Sequence, residues 1–449
     1  MDQLDRRTLL THSLTGAAGL SLVATTATHA ATSTQDRSPT SKIIVKLSGE
    51  GDETATIQAA LDLVSRNGGG IVELPSGTFP ITTLSVPART TLRGSGNSTT
   101  LRIMGGQSAV SCQRVHDVTI EALQIDARFS AETGIEATDS KRLTLRGLTV
   151  SETADTAIKL ERCSGTIHEC RMSNLANAGI FALDSDNLQI TDNTITDCGN
   201  NGIQVWRSKP GSDASTITGN RINTITARAG GTGQNGNGIN LFRANDVQVL
   251  ANHISDCTYS AIRANASSNT QITSNTCLRS GEVAIYAEFG FEGALIASNI
   301  VDLAATGIAV TNFSDGGRLA VVQGNLIRNL FRREHEQVDK RGVGISIEAD
   351  AAVSGNTIET AATAGIAVGH HQHMRDCAVT GNVVRKSSHG ILVSSNADAG
   401  ACLVANNLVS GANLGAINGH DGRTSIGPDL AHGSTTTDRI AITGNLAVM

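Results

Sequence analysis

An element of the form Gly/Ala-Ile-x-Val returns throughout this chain. Its isoleucines run from Ile135 through Ile158, Ile180, Ile203, Ile239, Ile262, Ile285, Ile308, Ile345, Ile366 and Ile391 to Ile417. Many of the steps are 22 or 23 residues. A second element follows each, clearest in TITGNRI (216–222) and AVTGNVV (378–384), and its asparagine recurs from Asn193 to Asn445. A unit this short and this rich in β-branched residues has no room for a helix pair. It reads as one turn of a strand solenoid, a parallel β-helix. One turn cannot bury its isoleucine face alone. Stacked ~4.8 Å apart, about twelve or more turns make a continuous apolar column. The asparagine sits where a tight bend is needed, and stacked asparagines satisfy each other's amides. The Gly or Ala before each isoleucine holds through the whole coil, so it reads as a structural bend.

The 449 residues therefore form one long repeat domain rather than several ordinary ones. Glycine is abundant (47) and proline rare (6), which fits many tight turns. A net charge of −6 excludes a general basic field that draws the chain to nucleic acid or anionic lipid. At the N-terminus, Arg6-Arg7 precedes a mildly apolar stretch from Leu14 to Val23 and a small-residue exit at Thr28-His29-Ala30. This reads as a twin-arginine signal peptide over 1–30, with the export machinery as partner through Arg6 and Arg7. Residues 31–41 read as a linker and 42–449 as the β-helix, with no membrane span in the mature chain and a periplasmic or extracellular destination. The eight cysteines lack CxxC spacing and read mostly as buried free thiols. Only Cys377 and Cys402 share a repeat position in neighbouring turns.

The segment TATIQAALDLVS (54–65) has helical periodicity and stops at Asn67-Gly68-Gly69-Gly70. A helix there covers the open edge of the first turn. Then come Gly68-Gly69-Gly70-Ile71-Val72, Leu74-Pro75-Ser76-Gly77-Thr78-Phe79 and Leu92-Arg93-Gly94-Ser95-Gly96. Those stretches resemble the opening of the pectin-lyase-like superfamily. With Arg6-Arg7, the whole chain resembles an uncharacterised family of twin-arginine-translocated repeat proteins. The resemblance implies an all-β, single-stranded right-handed parallel β-helix with a short N-terminal capping α-helix. It implies no one activity, since superfamily members include lyases, glycosidases and epimerases beside non-enzymatic adhesins and tailspikes.

The outward face carries the functional reading. With each repeat isoleucine at position i, residues i+1 and i+3 point away from the core. Down four successive turns, i+1 is Gln204, Asn240, Arg263 and Tyr286, and i+3 is Trp206, Phe242, Asn265 and Glu288. Arg207 and Arg243 follow at i+4. Rings and guanidinium planes stack on sugar faces, and Arg holds a carboxylate bidentately. This strip, which contains the only tryptophan, is read as a groove for an extended, acidic polysaccharide. Long turns at 223–238 and 328–342 emerge beside it and are candidate walls. Trp206, Arg207, Gln204, Asn240, Phe242, Arg243 and Asn265 are the candidate binding residues. Glu288, Tyr286 and Arg263 are the candidate catalytic residues of a lyase or hydrolase, with Glu288 as acid/base and Glu282, Glu292 and Lys159 as further groups of interest. A non-catalytic glycan-binding or cell-envelope role is the alternative. His370, His371 and His373 invite a metal reading, but their spacing fits no zinc motif, and no cofactor-binding motif is evident.

Overall fold

The computed structural model describes residues 41–231, 233–333, 341–422, 424–431, 435–436 and 438–448. The segments read as signal and linker up to residue 40 lie outside the described residues, as does the middle of the long turn at 328–342. Strands stack parallel into a right-handed solenoid of about 15 turns. They form three ladders. The first lies in a 17-stranded sheet and carries segments such as Thr216–Thr218 and Thr270–Thr273. The second and third share a 28-stranded sheet, because Thr276–Glu288 and Ile300–Val310 run unbroken from one ladder into the other. The third ladder holds the repeat isoleucines in register, for example Ile203 to Ile239 to Ile262 to Ile285. Their side chains and those of the other two ladders fill one continuous core. Among the described strands, antiparallel pairing enters past residue 416, where Thr424–Ile426 and Thr435–Thr436 fold back on the last turns, and an isolated antiparallel bridge joins His370 to His373.

Helix α1 (Thr54–Arg66) spans the segment read as a cap, one residue longer than the periodicity indicates. Ile57, Ala60, Leu61 and Val64 form its buried face and join the core of the first turns. All eight cysteines are buried free thiols, as read, and Cys377 and Cys402 are register partners on adjacent rungs.

The asparagines stack between the first and second ladders. At Asn299 the backbone N–H and Nδ2 both donate to Oδ1 of Asn325, at 2.9 and 3.0 Å, while Nδ2 also donates to the Ile272 carbonyl at 2.9 Å. The same pattern repeats from Asn193 to Asn445. Each of these asparagines follows a left-handed residue: Gly219 precedes Asn220 at φ +70°, and Ala251 precedes Asn252 at φ +53°. An alanine in that region is strained, so the stacked amides must hold it there.

The repeat glycines work differently from the bend read in the sequence. Gly202 and Gly307 are not left-handed. A Cβ on Gly202 would lie 2.4 Å from the Gly238 carbonyl oxygen, and one on Gly307 would lie 2.5 Å from that of Gly344. The small residue is required by close approach between rungs, not by a turn.

Two stability predictions follow from the corner. Asn325→Ala removes the acceptor for two donors of Asn299 and leaves the Ile296 carbonyl without its Nδ2 donor. It is expected to lower unfolding free energy by about 2–4 kcal/mol. Ala251→Gly is expected to raise it by about 0.5–1 kcal/mol. Urea unfolding followed by far-UV circular dichroism checks both.

Candidate functional site

Four strands of the third ladder carry the strip: β1 (Asn201–Ser212), β2 (Asn237–Asn245), β3 (Ile262–Asn265) and β4 (Thr276–Glu288). Gln204, Asn240, Arg263 and Tyr286 are register partners, and so are Trp206, Phe242, Asn265 and Glu288. The isoleucines between them are fully buried in the core, so both columns point away from it, as the alternation requires. Trp206 stands edge-on between Phe181 and Phe242, with centroids 5.6 and 5.8 Å away. Its Nε1 donates to Asn240 Oδ1 at 3.3 Å.

Outward does not mean open here. The long turn before β2 folds back over the strip. Gly233 lies directly on the Arg263 guanidinium, where a Cβ would come within 1.8 Å of Nη1, and its φ of +141° suits glycine alone. The Gln234 carbonyl accepts from Nδ2 of Asn240 and Nδ2 of Asn201, both at 3.1 Å. Arg263 is left 7% exposed and Glu288 2%. Between this turn and the rungs is a cleft of about 330 Å³, lined by Trp206, Gly233, Gln234, Asn240, Phe242, Arg263, Asn265 and Phe289.

Trp206, Asn240, Phe242, Arg263 and Asn265 thus converge on one cleft, while Gln204, Arg207, Arg243, Tyr286 and Glu288 do not line it. Arg207 turns aside, donating to the Ser185 carbonyl at 3.2 Å and lying 3.9 Å from the buried Asp213. Four residues of β1 between Trp206 and Gly211 oppose the single Arg243 of β2, and Arg207 begins that bulge, so simple alternation fails there. Arg243 lies over the Phe242 ring at 4.6 Å and donates to the Ser208 carbonyl at 2.9 Å.

Behind the cleft is a buried charge cluster. Arg263 Nε donates to Glu288 Oε1 at 2.5 Å, and Asn265 Nδ2 donates to the same oxygen at 2.9 Å. Glu282 Oε2 lies 3.7 Å from Arg263 Nη1, and its other oxygen accepts from Arg341 at 2.8 Å, with Arg333 at 3.5 Å. The two long turns therefore meet the same cluster, one through Gly233 and the other through Arg333 and Arg341. Arg263, Arg333 and Arg341 thus gather around Glu282 and Glu288. Burial pushes the Glu288 carboxyl above its ordinary range, and Arg263 pulls it part of the way back. Tyr286 lies under the Arg263 guanidinium at 5.2 Å, and burial, with the Glu288 charge, pushes its phenol up to about 12.

The expected acid/base, Glu288, is held by Arg263 and Asn265 rather than presented to the cleft. Glu282, a flanking carboxylate in the sequence, sits on a register shift between Ser280 and Val283, outside the i+1 and i+3 columns. Gly233, Gln234 and Phe289 lie in loops, where no periodicity marks them. Lys159 pairs with Glu136 at 3.3 Å, and Glu292 pairs with Arg318 at 3.0 Å beside the first ladder. Of the histidines, His371 Nδ1 lies 2.6 Å from Asp421 Oδ1, and His373 stacks edge-on against Phe313.

The sequence profile of a family described as periplasmic copper-binding protein (NosD) matches residues 93–288. That of a protein of unknown function (DUF1565) matches residues 316–446. No curated protein sequence matches the chain. Among solved structures, the pre-mature gene product 12 of bacteriophage phi29 has a TM-score of 0.53 at 14% identity, over 90% of this chain and 55% of that one. This chain thus spans about half the length of the phage protein. The A-module of the mannuronan C-5 epimerase AlgE6 of Azotobacter vinelandii has a TM-score of 0.47 at 12% identity, over 90% of this chain and 97% of that one. The surface adhesin PfbA of Streptococcus pneumoniae has 0.46 at 14%, over 90% of each. The fold is the pectin-lyase-like β-helix.

The first family's description names copper. Among the described residues, no group of three or more His, Cys, Asp or Glu side chains is placed to hold a metal ion. The six cysteines of the matched segment are buried, and burial holds Cys112, Cys198 and Cys277 up at about 12, far from the thiolate that metal binding needs. This donor set does not fit a copper centre. Among the described residues no helix is long and apolar enough to cross a membrane.

Burial pushes the Asp213 carboxyl up to about 6 from 3.8. The folded chain therefore holds a proton there that the unfolded chain releases, and stability falls as pH rises from about 4 to about 6. Asp213→Asn is expected to remove that fall and gain about 2–3 kcal/mol at pH 7 relative to the parent chain. Parallel urea titrations at pH 4, 5, 6 and 7 check it.

Proposed function

We propose that this chain is an exported β-helix protein that binds an extended, acidic polysaccharide across the third ladder, with its residues seated at the cleft between Trp206 and Arg263. One observation carries the reading: aromatic rings, amides and a guanidinium converge on a single cleft of about 330 Å³. The rings of Trp206, Phe242 and Phe289 offer apolar faces for sugar stacking. Asn240 and Asn265 offer amides to hydroxyls, and Arg263 supplies a positive edge. Export by the twin-arginine route through Arg6 and Arg7 completes the reading and rests on the sequence.

A catalytic version has its own support. Arg263 bridges two carboxylates, Glu282 and Glu288, beside Tyr286. A ligand carboxylate that draws Arg263 away would free Glu288, whose raised proton affinity suits an acid/base group. In that version Glu288 transfers the proton and Arg263 neutralises the substrate.

Trp206 is the sole tryptophan, so its emission reports on the cleft without labelling. Titration with uronate-containing polysaccharides is expected to shift that emission saturably, and Phe242→Ala is expected to weaken binding about tenfold. Unsaturated products identify a lyase, and new reducing ends without unsaturation identify a hydrolase. Saturable binding without either identifies the non-catalytic role. An emission indifferent to every acidic and neutral glycan of the panel overturns the reading.

A further inference from the structure

The outer face of the first ladder changes character at residue 295. One outward column carries Thr or Gln at every rung from Thr91 to Gln271. The next rung sets Leu295 in register with Gln271, and the column continues as Val321, Ala352, Ala378 and Leu403. Leu295, Val321 and Leu403 are 37%, 39% and 40% exposed. A shallow trough of about 650 Å³ runs along these rungs. Single exposed aliphatics need no account, but a register-locked column of them marks a contact surface.

The edge of the trough gives the identity of the partner. Four paired charges alternate along it, Glu292, Arg318, Asp350 and Arg375, and the exposed Asp376 lies beside Arg375. Arg318 contacts Glu292 at 3.0 Å and Asp350 at 2.9 Å, and Arg375 contacts Asp350 at 2.7 Å. Three carboxylates against two arginines leave no positive field to attract a polyanion or an anionic membrane. Among the four paired charges the order minus, plus, minus, plus is complementary to its own reverse.

We infer that this face is an isologous interface, at which a second copy of the chain packs antiparallel about a two-fold axis. The axis crosses the ladder between the rungs of Val321 and Ala352. Glu292 then meets Arg375 of the second copy, and Arg318 meets its Asp350. The same axis sets Leu295 over the second copy's Ala378 and Val321 over its Ala352, large against small on both sides. A two-fold axis along the solenoid fails on both counts. It would bring Leu295 onto Leu295 and leave Ala352 facing Ala352. It would also set the charged edge against the uncharged side of the ladder, which presents Ala297, Gln323 and Ser354. From Leu295 to Leu403 the stripe covers four rung spacings, about 19 Å. That is short for a permanent interface, so the pair dissociates reversibly in about the micromolar range.

Sedimentation velocity of the purified chain between about 1 and about 100 μM tests the association. A concentration-dependent monomer–dimer equilibrium is expected. Leu295→Gln combined with Val321→Thr extends the polar column of the earlier rungs into these exposed positions. It is expected to weaken the dimer about tenfold or more while leaving thermal unfolding unchanged. Cross-linking tests the orientation. A chain with Leu295→Cys mixed with a chain with Ala378→Cys is expected to give a mixed disulfide dimer, and Leu295→Cys alone is not. A monomer across the whole range overturns the inference. So does a dimer indifferent to the double substitution, or one in which Leu295→Cys links to itself.

Discussion

Ten asparagine side chains, stacked from Asn193 to Asn445, hold the corner on which the larger part of this solenoid turns. From Asn220 to Asn407 each accepts two hydrogen bonds from the asparagine before it and donates onward, so none of these can be removed without orphaning groups on a neighbouring turn. The bend needs a left-handed residue before every asparagine. Half of the time that residue is not glycine, as at Ala251 and Ser298, and the strain is borne by the amide stack. Because the corner fixes where the second ladder begins, it also fixes the phase of the isoleucine column one strand later. The registers of the third ladder, and with them the outward columns, are therefore set at a distance by the corner.

On that rigid frame, the strip from Gln204 to Glu288 does something unusual for an outer face. It buries charge. Arg263 and Glu288 are covered by a turn whose glycine lies against the guanidinium. The desolvation that this imposes is offset by hydrogen bonding and by Glu282, Arg333 and Arg341 around it. The cluster thus ties both long turns to the same rungs. Its cleft is apolar on the Trp206 and Phe242 side and cationic on the Arg263 side, a gradient suited to a ligand with one stacking face and one charged substituent.

Much of this was legible in the residues. The 22- and 23-residue steps between isoleucines identify the fold, since no other arrangement buries so many short β-branched units. The outward columns were legible for the same reason: alternation along a strand cannot be broken without a bulge. Where bulges occur, the reading failed. Arg207 opens a four-residue bulge and leaves the cleft, while Glu282 sits on a register shift and enters the cluster. The switch from Thr and Gln to aliphatics at Leu295 is also written in the sequence, but it becomes a column only once register aligns residues 24 to 31 apart.

The sequence by itself determined the parallel β-helix, its amide corner, the buried thiols and the sidedness of each strand. These follow from local periodicity, which repeats with every turn. Tertiary structure alone decided which outward residues stay open. The loop at 223–238 has no periodicity, so nothing local says that it folds down onto Arg263 instead of standing away as a wall. Covering turned an exposed strip into a partly enclosed cleft and converted the expected acid/base Glu288 into one half of a buried ion pair. The physical reason is that burial depends on distant chain returning across the rungs, whereas strand sidedness depends only on the residue two positions away.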